Sequence, residues 1–441
     1  MNKIEILLLQ IKISTSLIVF VLLPTNVYSL DLSEAISNAL KNDPEYLSAL
    51  ESLKAKREKL DQGRAPLLPN LSGSYSNSQN YPSSGNSLNT STYSLSISQV
   101  IFNNQLNSAQ KQSTLIVKEA EANFENTKQN IFLKITSAYF DVLNAQDDLK
   151  TVEAEKKAVA EQLDFAKRNF EVGTSTITDQ QEAQARFDLI RATEIRNRND
   201  LAIKRTNLEK MLLVSIPEYI QGIGNPINVK KPSITNPKEW MKIARAKNLE
   251  IKAATARLES ARIELKKSEK YYLPTISASA SINRIDTNSS SLVNNDSETL
   301  SLSVTVPIYQ GGVFKSEIRE AIANFNKAQH LLDLALLNSD RTAGKSYRNF
   351  IAGLAQVEAL EAAEKSSKVA LESNRLGYEV GVRINIDVLN AQKQLFASQR
   401  DLSKARYASL LAGLELKASV GELKKHEIDL VSDLIKKSST E

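Results

Sequence analysis

Two very long stretches of this 441-residue chain lack proline and almost lack glycine. They run from about residue 103 to 170 and from about residue 312 to 377, with internal glycines only at Gly344 and Gly353 of the second stretch. Apolar residues recur at alternating steps of four and three, the heptad rhythm of helices packed side by side. The second stretch shows this rhythm at Phe314, Ile318, Ala321, Phe325, Ala328, Leu332 and Ala335. At about 1.5 Å per residue, about 65 residues make a helix near 100 Å long, which a compact globular core cannot enclose.

Each long stretch ends at a motif that the chain contains twice. The motif reads FEVGTSTITD at residues 170–179 and YEVGVRINID at residues 378–387, an offset of 378 − 170 = 208. Gly173 and Gly381 suit a left-handed cap that ends one helix, and the heptad pattern resumes within a few residues. The sequence therefore predicts two helical hairpins with Val-Gly at their tips.

A similar spacing relates other parts of the two halves, which indicates an internal duplication. Tyr139 corresponds to Tyr347 at an offset of 208, and Pro69 corresponds to Pro274 at an offset of 205. Repeats are identified before single elements because they determine the architecture. The predicted division is a signal peptide at 1–29, a first repeat at 30–215, a linker at 216–235, a second repeat at 236–421 and a polar C-terminal tail at 422–441.

The first residues have the order of a secretory signal. Lys3 and Lys12 precede the apolar run 17–23, and a small-residue ending predicts cleavage after Ser29. The alternative is a membrane anchor, but seven apolar residues are too few to span a bilayer. The chain contains no cysteine, so neither a disulfide nor a lipid-acceptor cysteine is expected.

Four segments alternate apolar and polar residues with the period of a β-strand. They are centred on residues 71–77 and 93–98 in the first repeat, and on 276–283 and 300–308 in the second. Their length suits membrane-spanning barrel strands, and the alternative is a small soluble sheet lying on the helices. Four strands cannot close a barrel, so a spanning sheet requires 2 × 4 = 8 or 3 × 4 = 12 strands from several chains. Eight strands would have an interior filled by side chains, whereas twelve could leave an aqueous lumen.

Charge and motifs argue against nucleic-acid binding and catalysis. The chain has 56 basic and 51 acidic residues, spread evenly rather than in a basic tract. His330 and His426 are far apart, and the segment 344–346 lacks the first glycine of a phosphate-binding loop because Ser339 stands there. We expect no enzyme activity and no cofactor.

In order and spacing, several segments resemble the TolC family of outer-membrane export channels. They are PLLPNL at 66–71, AYFDVLNA at 138–145, the strand-to-helix junctions SQVIFNN at 98–104 and VPIYQGG at 306–312, and both Val-Gly hairpins. The resemblance extends from about residue 30 to 421 and favours the non-lipidated type. It implies a mixed α and β fold in which three chains form one transmembrane β-barrel, with four strands per chain. The barrel is continuous with a long α-helical coiled-coil tunnel through the periplasm, which narrows at an iris.

The resemblance also assigns roles to residues near the two tips. Asp387 would narrow the pore aperture, and Asn390 replaces a second aspartate, so weaker cation selectivity is expected. A latch between the hairpins would join Thr178 and Asp179 to Tyr378 and Arg383. The tips would dock a periplasmic adaptor through Val172, Gly173, Thr174, Val380, Gly381 and Val382.

The expected function is that of a passive channel-tunnel across periplasm and outer membrane, in a tripartite efflux pump or a type I secretion system. Its expected partners are two further copies in a homotrimer, a periplasmic adaptor, an inner-membrane pump and outer-membrane lipid. The alternative is a secreted coiled-coil structural or adhesive protein without a channel. Membrane fractionation and a heat-sensitive trimer would distinguish the two.

Overall fold

The computed structural model describes residues 30–81, 83, 87–222, 231–287 and 295–440; the predicted signal peptide lies outside this part. The first half contains α1 (Leu32–Asn42), α2 (Pro44–Arg57), α3 (Lys59–Arg64), β1 (Asn70–Asn80), β2 (Leu88–Phe102), α4 (Asn104–Glu171) and α5 (Ile177–Leu212). The second half contains α6 (Pro237–Lys247), α7 (Leu249–Ser268), β3 (Thr275–Thr287), β4 (Asn295–Thr305), α8 (Val313–Glu379), α9 (Asn385–Ser419) and α10 (Lys425–Thr440).

The two predicted long helices are confirmed. Helix α4 has 68 residues and α8 has 67, so each is about 100 Å long. Each folds back through a tight turn onto a helix of about half its length, α5 with 36 residues and α9 with 35. We call α4–α5 the first hairpin and α8–α9 the second hairpin. In the part of the chain that the structure describes, no helix has an apolar run long enough to cross a membrane.

The four predicted strands form one antiparallel sheet in the order β1-β2-β3-β4. Directly paired residues share a face of the sheet. One row across all four strands is apolar and consists of Leu71, Ile97, Ala280 and Leu300. The next row, on the opposite face, is polar and consists of Ser72, Ser96, Ser281 and Thr299. The alternation therefore gives the sheet one apolar and one polar face, as predicted.

Strand β4 is shorter than the alternating pattern suggested. It ends at Thr305, whereas the pattern continues to Ile308. Pro307 lacks a backbone N–H and cannot continue the ladder of hydrogen bonds. Ile308 is consequently 87% exposed and belongs to the junction that leads into α8.

The largest core lies around the middle of α4, where the shorter helices pack against it. Its centre is formed by the buried side chains Phe132, Ile135, Tyr139 and Leu143, with α1, the end of α5 and the end of α9 around them. The Tyr139 hydroxyl donates a hydrogen bond to the backbone oxygen of Leu30 at 3.1 Å. This core joins the first described residues of the chain to both hairpins.

Residues 422–441 are not simply a polar tail. Helix α10 starts at Lys425 and buries Ile428, Val431 and Ile435 in the core around α4. These residues follow one another at intervals of three and four, so they share one side of the helix. The abundance of charged residues on the other side hides this short apolar stripe in the sequence.

Two glycines with the same backbone conformation provide a test of the packing at the end of α9. Gly421 and Gly173 both have a φ of +75°. A Cβ at Gly421 would lie 2.5 Å from the backbone oxygen of Lys247, whereas nothing lies within 4 Å of one at Gly173. We expect Gly421→Ala to lower the Tm clearly more than Gly173→Ala, whose cost is the left-handed backbone alone, about 1–2 kcal/mol. Thermal unfolding followed by circular dichroism measures both, and equal shifts would contradict the close contact at Gly421.

Candidate functional site at the hairpin tips

The two tips have nearly the same backbone. In the first, the Gly173 N–H donates to the Phe170 oxygen at 3.0 Å. In the second, the Gly381 N–H donates to the Tyr378 oxygen at 3.1 Å, and Gly381 has a φ of +79°. Both glycines adopt the left-handed conformation that ends a helix without a Cβ penalty. The Glu-Val-Gly motif therefore ends the long helix with the same backbone turn in both halves of the chain.

Each tip presents valine side chains to solvent. Val172 is 72% exposed, and Val380 and Val382 are 66% and 78% exposed. Exposed valine side chains on a hydrogen-bonded turn are suited to packing against another protein, because a side chain with few rotamers loses little conformational freedom on binding. Val172, Gly173, Thr174, Val380, Gly381 and Val382 therefore form two small surfaces of matching geometry.

The first turns of the two returning helices differ. Thr176 caps α5, since its hydroxyl accepts from the Asp179 N–H while the Asp179 carboxylate accepts from the Thr176 N–H at 3.1 Å. Partial desolvation raises the pKa of Asp179, but hydrogen bonds from Thr176 and Ser175 outweigh it and lower that pKa overall. Thr178, which lies between Thr176 and Asp179 in the sequence, is exposed. Asp179 thus stabilises its own helix.

The corresponding carboxylate of the second hairpin has another partner. Ile384 occupies the N-cap of α9 and offers no side-chain cap. Asp387 instead lies 3.8 Å from the guanidinium of Arg383, on the preceding turn. Asn390 is exposed. Because it follows Asp387 by three residues, about one turn, the two share a side of α9. The structure thus brings two of the predicted residues, Arg383 and Asp387, into direct contact.

The predicted latch is not formed within one described chain. The Tyr378 ring packs edge-on against the Phe165 ring with centroids 5.9 Å apart, while Asp179 bonds to Ser175 and Thr176. Arg383 pairs with Asp387 rather than with Thr178 or Asp179. The latch therefore stays a prediction about the assembled protein.

The structure also shows a buried polar contact between the hairpins that the sequence did not reveal. We call it the seam. It consists of Asp147, Asp148, Glu155 and Gln162 on α4 with Asn385, Arg400, Ser403 and Tyr407 on α9. The seven- or eight-residue spacing of the α4 members places them on one side of that helix. Only this spacing of polar residues within a heptad pattern could have indicated the seam in advance.

Burial disfavours the ionised form of two carboxyl groups of the seam. Burial raises the pKa of Asp147, although Ser403 and Tyr407 each donate a hydrogen bond to it at 2.8 Å. Burial raises the pKa of Asp148 to about 6, an effect that Arg400 opposes and Asp147 strengthens. The seam therefore holds desolvated acids at the contact between the two hairpins.

Comparison with known proteins relates this geometry to one family. The profile of the family described as "Outer membrane efflux protein" matches residues 35–212 and 240–422. Outer membrane protein TolC of Escherichia coli is 30% identical over 425 residues, which cover 92% of this chain and 85% of that protein. Alkaline protease secretion protein AprF of Pseudomonas aeruginosa is 28% identical, with coverages of 93% and 88%.

Solved structures agree on the fold. The outer membrane protein VceC of Vibrio cholerae has a TM-score of 0.75 at 19% identity, covering 88% of this chain and 96% of that one. The MtrE outer membrane channel of Neisseria gonorrhoeae has a TM-score of 0.77 at 18% identity, with 90% of each chain covered. The predicted resemblance is confirmed, and the alternative of a secreted structural protein is not supported. The chain belongs to the outer membrane efflux protein family, the TolC-like channels of the bacterial outer membrane.

Proposed function

We propose that three copies of this chain form one channel-tunnel, a passive exit route that crosses the periplasm and the outer membrane. The observation that carries the proposal is the two-faced sheet attached to helices about 100 Å long. A sheet with one apolar and one polar face suits a barrel that has lipid outside and water inside. Long hairpins directed away from that sheet suit a tunnel below the membrane.

The number of copies follows from the free edges of the sheet. Strands β1 and β4 each have a partner on one side only in the described chain. Lipid offers no hydrogen bonds to an open edge, so a spanning sheet has to close. Two copies would give eight strands and a filled interior, whereas three copies give 3 × 4 = 12 strands and room for a lumen.

An internal duplication accounts for the order of the elements. The two stretches matched by the family profile, 35–212 and 240–422, lie close to the predicted repeats at 30–215 and 236–421. Each half runs through short helices, two strands, one long helix and a returning helix. A repeat of two strands and one hairpin would let three chains behave as six similar units around the channel.

The tips form the periplasmic mouth of this channel. Three copies of Asp387 on a narrow ring would attract cations. The pair with Arg383 holds each Asp387 only weakly, because ion pairs near the surface are worth about 0–1 kcal/mol. Thr178, Asp179, Tyr378 and Arg383 act as the latch between neighbouring hairpins in the closed assembly.

The exposed valines at the tips dock a periplasmic adaptor, which connects the channel to an inner-membrane pump. The pump supplies the energy for transport. The channel itself is passive and needs no cofactor or catalytic residues. The general test is fractionation. The proposal expects a heat-sensitive trimer in the outer-membrane fraction, and extraction as a soluble fibre without detergent would contradict it.

The aperture assignment predicts opposite effects of two substitutions on one side of α9. Asp387→Ala removes three negative charges from the proposed ring and should lower the preference for cations. Asn390→Asp adds three and should raise that preference, because it supplies a second ring one turn away. Reversal potentials in planar bilayers under a salt gradient measure both. Unchanged selectivity in both variants would place these residues outside the narrowest point.

The latch predicts a change in conductance. Tyr378→Phe and Arg383→Gln should each raise the single-channel conductance, because each removes a polar link of about 1–3 kcal/mol that holds the mouth closed. Arg375→Gln is a matched control: Arg375 lies near the same tip, is exposed and, in the described part of the chain, pairs with Glu379 on the next turn, at 3.7 Å. An equal rise in the control would mean that general loss of positive charge, not the latch, opens the channel.

A further inference from the structure

One carboxylate of the seam is shared between the two hairpins. Glu155 of α4 is only 2% exposed. Its Oε1 lies 3.2 Å from a guanidinium nitrogen of Arg186 on α5, and its Oε2 lies 3.0 Å from one of Arg400 on α9. Each oxygen thus has its own arginine. One arginine belongs to the first hairpin and the other to the second.

Burial makes this arrangement sensitive to the loss of a partner. A buried charge is costly unless it is paired and hydrogen-bonded, and the removal of one partner leaves that cost uncompensated. Both arginines are themselves only partly exposed, at 23% and 28% of their side-chain surface. Water therefore replaces either of them poorly.

The two arginines have different consequences for the molecule. Arg186 joins Glu155 to a helix of the same hairpin, which α4 already contacts through the buried Leu163, Ala166 and Ala183. Arg400 joins Glu155 to the other hairpin. Arg400 also lowers the pKa of Asp148, which lies one heptad, about two turns, further from the tip, so two acids of α4 attract the same guanidinium.

The position of Glu155 along the hairpin links this site to the tips. Seven residues closer to the tip, the Gln162 side chain donates a hydrogen bond to Asn385, in the first turn of α9. Asn385 is 1% exposed, and among the described residues its side-chain nitrogen has no hydrogen-bond partner. Nearer still lies the ring contact of Phe165 with Tyr378. The ion pair of Glu155 with Arg400 is the next contact between the hairpins on the side away from the tip, and unlike the other two it is charged.

We infer that Glu155 is a positioning residue that sets the second hairpin against the first, with Arg186 as its anchor and Arg400 as its releasable partner. When Arg400 leaves Glu155, the start of α9 is free to move away from α4 while the first hairpin stays intact. The consequence for opening the mouth rests on the proposed channel function. The positioning itself does not.

The absence of cysteine in the chain makes a direct test simple. In the full-length protein, Gln162→Cys and Asn385→Cys place one thiol on each side of the seam, at two side chains that touch. A short thiol-to-thiol cross-linker then reports how often the two hairpins are in contact. We expect Arg400→Gln to lower the cross-linking rate about tenfold or more, because it removes the buried pair between hairpins. Arg186→Gln should leave the rate within about twofold.

Conservative substitution and a second readout make the test decisive. Arg400→Lys keeps the charge but loses the planar donor geometry, so it should lower the rate less than Arg400→Gln. Circular dichroism and the thermal unfolding transition show that each variant is folded. Equal effects of Arg186→Gln and Arg400→Gln would overturn the inference, as would an Arg400→Lys rate as low as that of Arg400→Gln.

The same variants separate this inference from the proposed function. The cross-linking rate is measured on the purified protein and does not depend on current flow. If folded protein shows no conductance in bilayers, the channel proposal fails while the cross-linking result still decides the role of Glu155. If the channel conducts, Arg400→Gln should raise its conductance and Arg186→Gln should not.

Discussion

The open edges of the four-stranded sheet are the constraint on which the rest of the proposed architecture depends. Every backbone N–H and C=O within lipid needs a partner, and one chain leaves β1 and β4 unpaired on their outer sides. Pairing with further copies removes both edges at once. Because each strand pair is joined to a hairpin at Asn103 and Gly312, closing the sheet also arranges the hairpins around the same axis.

Symmetry then gives single residues at the tips an effect that they lack in one chain. Asp387 by itself is a half-buried carboxylate at the start of a helix, next to an exposed arginine. Three copies around a narrow axis would become a ring of charge. The two hairpins differ at this position because Thr176 caps α5 and engages Asp179, whereas Ile384 cannot cap α9 and leaves Asp387 available. Local capping chemistry therefore distinguishes two otherwise similar tips.

The sequence predicted what local periodicity and backbone chemistry determine. The heptads between residues 103 and 170, the left-handed Gly173 and Gly381, and the alternation around Ile97 each act within a few neighbours. Sequence analysis did not predict features that depend on residues far away in the sequence. Helix α10 shows its apolar stripe only where the core around Tyr139 receives it, and the pairing of Glu155 with Arg400 joins residues 245 positions apart.

The seam shows why a tunnel of packed helices retains buried acids that a purely structural bundle would replace with leucine. Desolvation disfavours the ionised forms of Asp147 and Asp148 at this contact, and an apolar contact of the same size would often be at least as stable. Apolar side chains, however, would have no specific alternative partner when α9 moves away from α4. Arg400 also lowers the pKa of Asp148, so this electrostatic attraction is available to it besides the pair with Glu155. If Glu155 acts as inferred above, the polar seam gives up stability for a contact between hairpins that can be released and formed again.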